Sequence, residues 1–218
     1  MLITLFDDVD FKDFILGHKD KMEKKMKQKT LNYNSAQISS IDIDDEIETL
    51  ISSCNLNVPE LKTEQMQDPK IVPVEEVRSQ DALYRRGQLD KYEFIIYTVP
   101  FEGNSKIFLC KPIDYNGRLI NVYLEPKSFS IKLSKNRMMI SPDDQLKAEL
   151  TSLFSQKIEI IENILGALRA ELEEHLVKLK DNLKSYIHSL EKEIKEREAK
   201  QIQKKNSESD MNPFSEEE

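Results

Sequence analysis

Residues 141–205 read SPDDQLKAELTSLFSQKIEIIENILGALRAELEEHLVKLKDNLKSYIHSLEKEIKEREAKQIQKK, and the reading of this stretch decides the architecture. After Pro142 it contains no proline, and Gly166 is its one glycine, so nothing in it must break a helix. The start is marked too. Ser141 can cap, Pro142 suits the first helical position, and an acid at the third position faces the positive end of the dipole. The stretch predicts one long amphipathic helix, or a helical hairpin bent at Gly166.

Its apolar residues form a seam: Phe154, Ile158, Ile161, Leu165, Leu168, Leu172, Leu176, Leu179, Leu183, Ile187, Leu190 and Ile194. They recur about every 3.6 residues, the repeat of a straight helix and not the 3.5 of a left-handed supercoil, which disfavours a strict leucine zipper. At ~1.5 Å per residue the stretch would run roughly 90 Å unbroken, so it either projects or folds back. Glu174 with Lys178, Glu191 with Lys195 and Glu196 with Lys200 stand in acid-first i,i+4 order and describe a solvated face. The seam from Leu165 through Leu168, Leu172, Leu176, Leu179, Leu183, Ile187 and Leu190 to Ile194 is the candidate contact surface, for a second copy or a partner helix. The remaining chain offers few apolar helical residues to cover it. Packing against the chain's own residues is the competing reading.

Composition sets the outer bounds. The 218 residues are 39% hydrophobic and 33% charged with no tryptophan, as in a soluble protein rich in exposed helix. A net charge of -8 argues against general nucleic-acid binding, which needs clustered Lys and Arg to neutralise phosphates. Cys54 and Cys110 lie far apart without metal-type spacing, which suggests reduced thiols in a cytoplasmic protein. Met1-Leu2-Ile3-Thr4-Leu5-Phe6, followed by Asp7 and Asp8, has neither the basic leader nor the apolar length of a signal peptide, and no run approaches a membrane span.

Residues 1–73 predict an irregular helical region and linker. An apolar cluster (Phe11, Phe14, Ile15, Leu16) precedes Gly17, then residues 18–29 carry six lysines against two acids. A basic arm that touches nucleic acid is one reading; lacking aromatics and arginines, a solvated helix is the plainer one. Asp42, Asp44, Asp45, Glu46 and Glu48 suggest a cation site, but the calcium-loop glycine and distant glutamate are missing. Acids at the N-terminus of a helix carrying Ile47, Leu50 and Ile51 explain them without a metal. Residues 55–73, with three prolines, read as linker, and 74–89 as a short helix stopped by Gly87.

From residue 92 to 133 the period changes to two. Strands at 92–99, 106–113, 119–125 and 129–133 predict a four-stranded antiparallel β-meander, with Asn116-Gly117 as a hairpin turn. That turn would pair Ile113 with Ile120, Lys111 with Val122 and Leu109 with Leu124, on a face covered by Leu146, Leu150, Leu153 and Phe154 of the long helix. The fold class is therefore α+β: residues 1–73, a domain of 74–140, the helix of 141–205 and a disordered acidic tail of 206–218. Met211-Asn212-Pro213-Phe214 is the tail's one apolar spot.

Catalytic patterns are sparse. Pro112-Ile113-Asp114 with Glu125-Pro126-Lys127 matches the bare string of the PD-(D/E)xK nuclease signature, in which two acids bind a divalent metal. The meander register places those acids about 20 Å apart at ~3.3 Å per residue, too far for one metal. His18, His175 and His188 sit in no recognisable motif, and Glu171 with His175 lacks the second Glu/His helix of a metal bundle. No catalytic residue, metal ligand or cofactor is expected.

Val99-Pro100-Phe101-Glu102-Gly103-Asn104, followed by Ile107-Phe108 and Lys111-Pro112, resembles a segment of the form I-P-F-E-G-D-x-x-L-F-x-Y-x-P in bacterial proteins. In some of them a long charged helix and then a restriction-endonuclease-like domain follow. The resemblance spans 92–200, and Asn104 replaces the acid. It implies a bacterial cytoplasmic protein in an antiviral defence setting, with any nuclease or effector activity supplied by another chain. The function expected is thus a non-catalytic interaction or regulatory subunit, with a nuclease accessory and a nucleic-acid adaptor using the lysine-rich arm as the competing classes.

Overall fold

A computed structural model describes residues 1–77, 89–113, 115, 117, 120–134 and 144–210. In chain order the elements are β1 (Leu2–Leu5), β2 (Val9–Asp10), α1 (Phe11–Thr30), α2 (Ser35–Ser39), α3 (Ile43–Ser52), β3 (Glu60–Leu61), β4 (Lys70–Val77), β5 (Leu89–Glu102), β6 (Cys110–Lys111), β7 (Ile120–Leu124), β8 (Ser128–Leu133) and α4 (Asp144–Asp210). The class is α+β with a long C-terminal helix. The chain divides into two compact units: one of Met1–Phe11 and Asn57–Glu171, the other of Lys12–Leu56 and Leu172–Glu218. α4 contributes a stretch to each, and it runs through Gly166 without a break.

The first unit is built on a six-stranded sheet in the order β1-β7-β8-β5-β3, with β4 also paired to β5. Its pairings are antiparallel. Ile95, Tyr97, Val99 and Phe101 alternate as buried positions of β5, opposite Leu133, Ile131 and Phe129 of β8. Phe108 is at the centre of the core. Its ring lies 4.8 Å from Phe101, 5.5 Å from Phe129 and 6.1 Å from Phe6. Leu150, Phe154, Ile158, Ile161, Leu165 and Leu168 of α4 are buried in the same unit, and Phe154 stacks on Tyr97 at 4.2 Å. Each such side chain stabilises by about 1.5–3 kcal/mol on burial.

Three of the four expected strands, β5, β7 and β8, are present. The second is not. Ile107 and Phe108 are adjacent and both fully buried, which a one-faced strand cannot achieve because neighbours point to opposite sides. Ser105–Leu109 instead forms a 3-10 turn capped by the Asn104 side chain, which accepts from the Lys106 amide. β6 after it pairs in parallel with β2, and β1 takes the place beside β7: Leu5 opposite Ile120, Ile3 opposite Val122. Ile113 is consequently exposed, and so is Leu153. Residues 70–77 form strand β4, where 70–73 were expected as the end of a linker and 74–77 as the start of a helix; the β-branched Ile71 and Val72 are drawn into pairing with β5. Asn116, the Ser141-Pro142-Asp143 cap, residues 78–88 of the expected helix and residues 211–218 of the expected tail lie outside the described residues. Helix α4 continues past 205 to Asp210.

The second unit is helical. Ile15, Met22 and Met26 of α1, Ile38 of α2 and Ile47 and Leu50 of α3 are buried there, as are Leu179, Leu183, Ile187, Leu190 and Ile194 of α4. Short helices need defined starts, and both have them. Asn34 and Gln37 form a reciprocal capping box on α2. Asp42 caps α3, accepting from the amides of Asp44 and Asp45 at 3.1 Å. The acidic cluster is otherwise used in ion pairs, Asp44 with Lys184 at 2.7 Å, Glu46 with Lys29 at 2.5 Å and Glu48 with Lys180.

Candidate functional site

Of the nine residues expected to dock a partner, most are buried within the two units. Leu165 and Leu168 are fully buried in the first unit; Leu179, Leu183, Ile187, Leu190 and Ile194 are buried in the second. Leu172 and Leu176 are half-buried. The reason is that α1, α2 and α3 supply apolar side chains that α1's many lysines conceal in the sequence. Met22 and Met26 are interleaved with Lys21, Lys24, Lys25 and Lys27, yet they fall on one helical face.

What stays open is the end of the seam. The last residues of α1 and residues 190–204 of α4 border a groove of about 730 Å³. Leu190 and Ile194 meet Thr30 and Leu31 there. Leu31 is 60% exposed, and Ile202, two further turns along the seam, is 55% exposed. Arg197 fixes one wall, donating to the carbonyls of Leu31 at 3.2 Å and Tyr33 at 3.0 Å. Ser35 donates to the Glu198 carboxylate from both its amide and its hydroxyl, and these bonds hold that carboxyl below its ordinary range. Ser39 and Lys195 do the same for Glu191, Lys195 being the larger influence.

Charges along the groove are ordered. Glu193 and Glu196 come first, then Arg197, Lys200 and Lys204. Glu196 pairs weakly with Lys192 at 4.0 Å and not with Lys200 as the i,i+4 order suggested, so Lys200 has no acidic partner among the described residues. Leu31 and Ile202 were not picked out from the sequence. Ile202 was legible as the seam prolonged by eight residues; Leu31, immediately beyond a helix end, carries no periodic signal.

The nuclease-like string is described only in part. Asp114 lies outside the described residues, and the register used to place it is replaced by the β1–β7 pairing. Glu125 and Lys127 are exposed in the β7–β8 turn, where Ser128 donates to Glu125 at 3.1 Å and the Lys127 carbonyl accepts from the Phe101 amide at 3.0 Å. His18 stacks edge-on against Phe14 at 4.7 Å, and His188 lies 3.7 Å from Glu191 on an exposed face. Among the described residues, no group of three or more His, Cys, Asp or Glu side chains is placed to hold a metal, and no helix is long and apolar enough to cross a membrane.

The segment that carries the bacterial resemblance is a structural corner. Gly103 adopts φ of 116°, and a Cβ there would stand 2.9 Å from the Cα of Pro59. The Asn104 amide donates to the Asn57 carbonyl at 2.9 Å. Compared with family models, curated proteins and solved structures, the chain matches none.

Proposed function

We propose that this chain is a non-catalytic protein-interaction subunit that associates with a second copy of itself through the groove at the end of α4. The observation that carries the reading is the order of charge along the α4 wall of the groove, acids at 193 and 196 and bases at 197, 200 and 204, with exposed Leu31 and Lys27 on the α1 side and exposed Ile202 next to the lining residue Gln201. A two-fold axis midway between Glu193 and Lys204 pairs two such ends antiparallel. Glu193 then meets Lys204 of the partner subunit, Glu196 lies close to Lys200 of the partner subunit, and the exposed apolar side chains are covered from both sides. The contact uses the last turns of the seam rather than its whole length.

The test is solution mass by light scattering coupled to size exclusion. The parent is expected to be dimeric. Glu193→Lys and Lys204→Glu each put like charges together and shift the mass toward monomer, whereas the double variant restores attraction and with it the dimer. A monomeric parent, or a double variant no more associated than either single one, overturns the reading.

A further inference from the structure

A second, smaller cavity, of about 320 Å³, lies between α1 and the residues just after α3. His18, Lys21, Lys24 and Lys25 form one wall, and Ser53 and Cys54 the other. Lys21, Lys24 and Lys25 follow at i, i+3 and i+4, so one exposed stripe of α1 carries all three. No acidic side chain lines the cavity, in contrast to the groove. Elsewhere in this unit lysines meet carboxylates, as Lys29 meets Glu46 and Lys195 meets Glu191 at 2.7 Å. Here Lys21 and Lys24 have no acidic partner among the described residues, and Lys25 donates to the Ser53 hydroxyl at 3.1 Å. Ser53 in turn donates to the Leu50 carbonyl at 2.7 Å, which fixes that hydroxyl in the wall.

Like charges gathered in a concave, partly screened site repel one another, and an anion that enters relieves the repulsion. We propose that this cavity binds a compact phosphate-bearing anion, such as pyrophosphate or the terminal phosphates of a nucleotide. Lysine suits the task because its ammonium is a point charge with rotatable donors, so it needs no fixed ligand orientation. The chain's net charge of -8 disfavours a long polyanion, whose affinity accumulates from many phosphate contacts over an extended surface. A cavity of this size holds a small molecule and no stretch of duplex.

Cys54 reports on occupancy. It is half-buried in the wall, whereas Cys110 is almost wholly buried, so an uncharged maleimide labels Cys54 first. The full-length chain is titrated with inorganic pyrophosphate at physiological salt, binding being followed by calorimetry and by the rate of Cys54 labelling. Saturable one-to-one binding that slows Cys54 labelling is expected. Lys21→Gln with Lys24→Gln should weaken it about tenfold or more, two charge-assisted contacts being lost. Lys192→Gln, on an exposed face of α4, should leave it unchanged. Both substituted lysines are on the surface, so circular dichroism should show the variants folded. The proposal is overturned if pyrophosphate gives no saturable binding, or if the double variant binds as the parent does. An oligonucleotide that protects Cys54 where pyrophosphate does not also overturns it, in favour of a nucleic-acid contact.

Discussion

The two units enclose the same kind of helix by different means. Along 150–168 the seam of α4 belongs to a unit whose other core residues come from β-strands and a 3-10 turn; along 179–194 it belongs to a unit whose other core residues come from three helices. The repeat of 3.6 is common to both, so periodicity alone does not reveal the cover. The aromatic residues do: Phe6, Tyr97, Phe101, Phe108, Phe129 and Phe154 are all buried in the sheet unit, while the helical unit buries Met, Ile and Leu. Aromatic rings hold fixed mutual geometries, and unbranched methionines fill helix-to-helix gaps with little specification. The sheet unit is therefore the one in which a single lost side chain is hardest to repack.

The largest effects should come from testing that difference in the two cores. Phe108→Ala, at the aromatic centre, is expected to cost about 3–5 kcal/mol, and Leu183→Ala about 2–5 kcal/mol toward the lower end because helices can close on the void. Urea unfolding measures the loss, and hydrogen exchange locates it. Phe108→Ala should release amides of β7 and β8, and Leu183→Ala those of α3 and residues 179–194. If either variant loosens both regions equally, the units unfold as one body and the contrast has no energetic content.

A smaller effect separates two glycines of the same unit. Gly103 adopts a backbone conformation closed to other residues and abuts Pro59, so Gly103→Ala should cost about 1–3 kcal/mol from strain. Gly166 sits within α4 with nothing within 4 Å of an added Cβ, so Gly166→Ala should stabilise by about 0.5–1 kcal/mol. Thermal unfolding of the two variants checks both signs. A stabilising Gly103→Ala would mean that the 57–61 segment yields easily and that the corner is not a fixed point of the sheet.

How far the fold was legible follows from these same residues. The long helix announced itself because its signal is local and repeated over forty residues. Strands β5, β7 and β8 were legible from alternation. β1 was not, because its partner β7 lies more than a hundred residues away and its own alternation is weak, with Leu2 exposed and Leu5 buried. The 3-10 turn had a sequence mark that went unused, the adjacent apolar pair Ile107-Phe108, which no one-faced strand accommodates. The candidate groove was half legible: its apolar floor lies on the predicted seam, but that the seam would be covered elsewhere depended on pairing α4 with α1, a tertiary fact. The cavity beside Cys54 joins residues about thirty apart, and only the lysine stripe on its helical wall could be foreseen.

Proton linkage should distinguish the units at opposite ends of the pH scale, and near neutral pH the distinction vanishes. In the helical unit Glu174, Glu191 and Glu198 are held below the ordinary 4.5 by Lys178, Lys195 and Ser35 respectively, each by direct hydrogen bonding. Above about pH 4.5 these groups are ionised whether the unit is folded or not, and their contribution is fully present. As pH falls below that value the unfolded chain takes up protons first, so the contribution is lost through the folded pKa values. In the sheet unit burial pushes the Cys110 thiol up to about 12 from 9.0, and the sign reverses. Its contribution is complete below pH 9.0 and declines toward about pH 12, as the unfolded thiol ionises while the folded one does not. Tyr115 and Tyr186, one in each unit, are both raised chiefly by burial, so each unit carries a tyrosine contribution of the same sign. Hydrogen exchange, corrected for intrinsic rates, should show residues 174–198 losing protection before β5 and β8 on the acid side and the reverse order on the alkaline side. Cys110→Ala should flatten the alkaline response of the sheet unit alone. If that variant leaves the alkaline response unchanged, the tyrosines carry it, and the pH contrast between the units reduces to its acid arm.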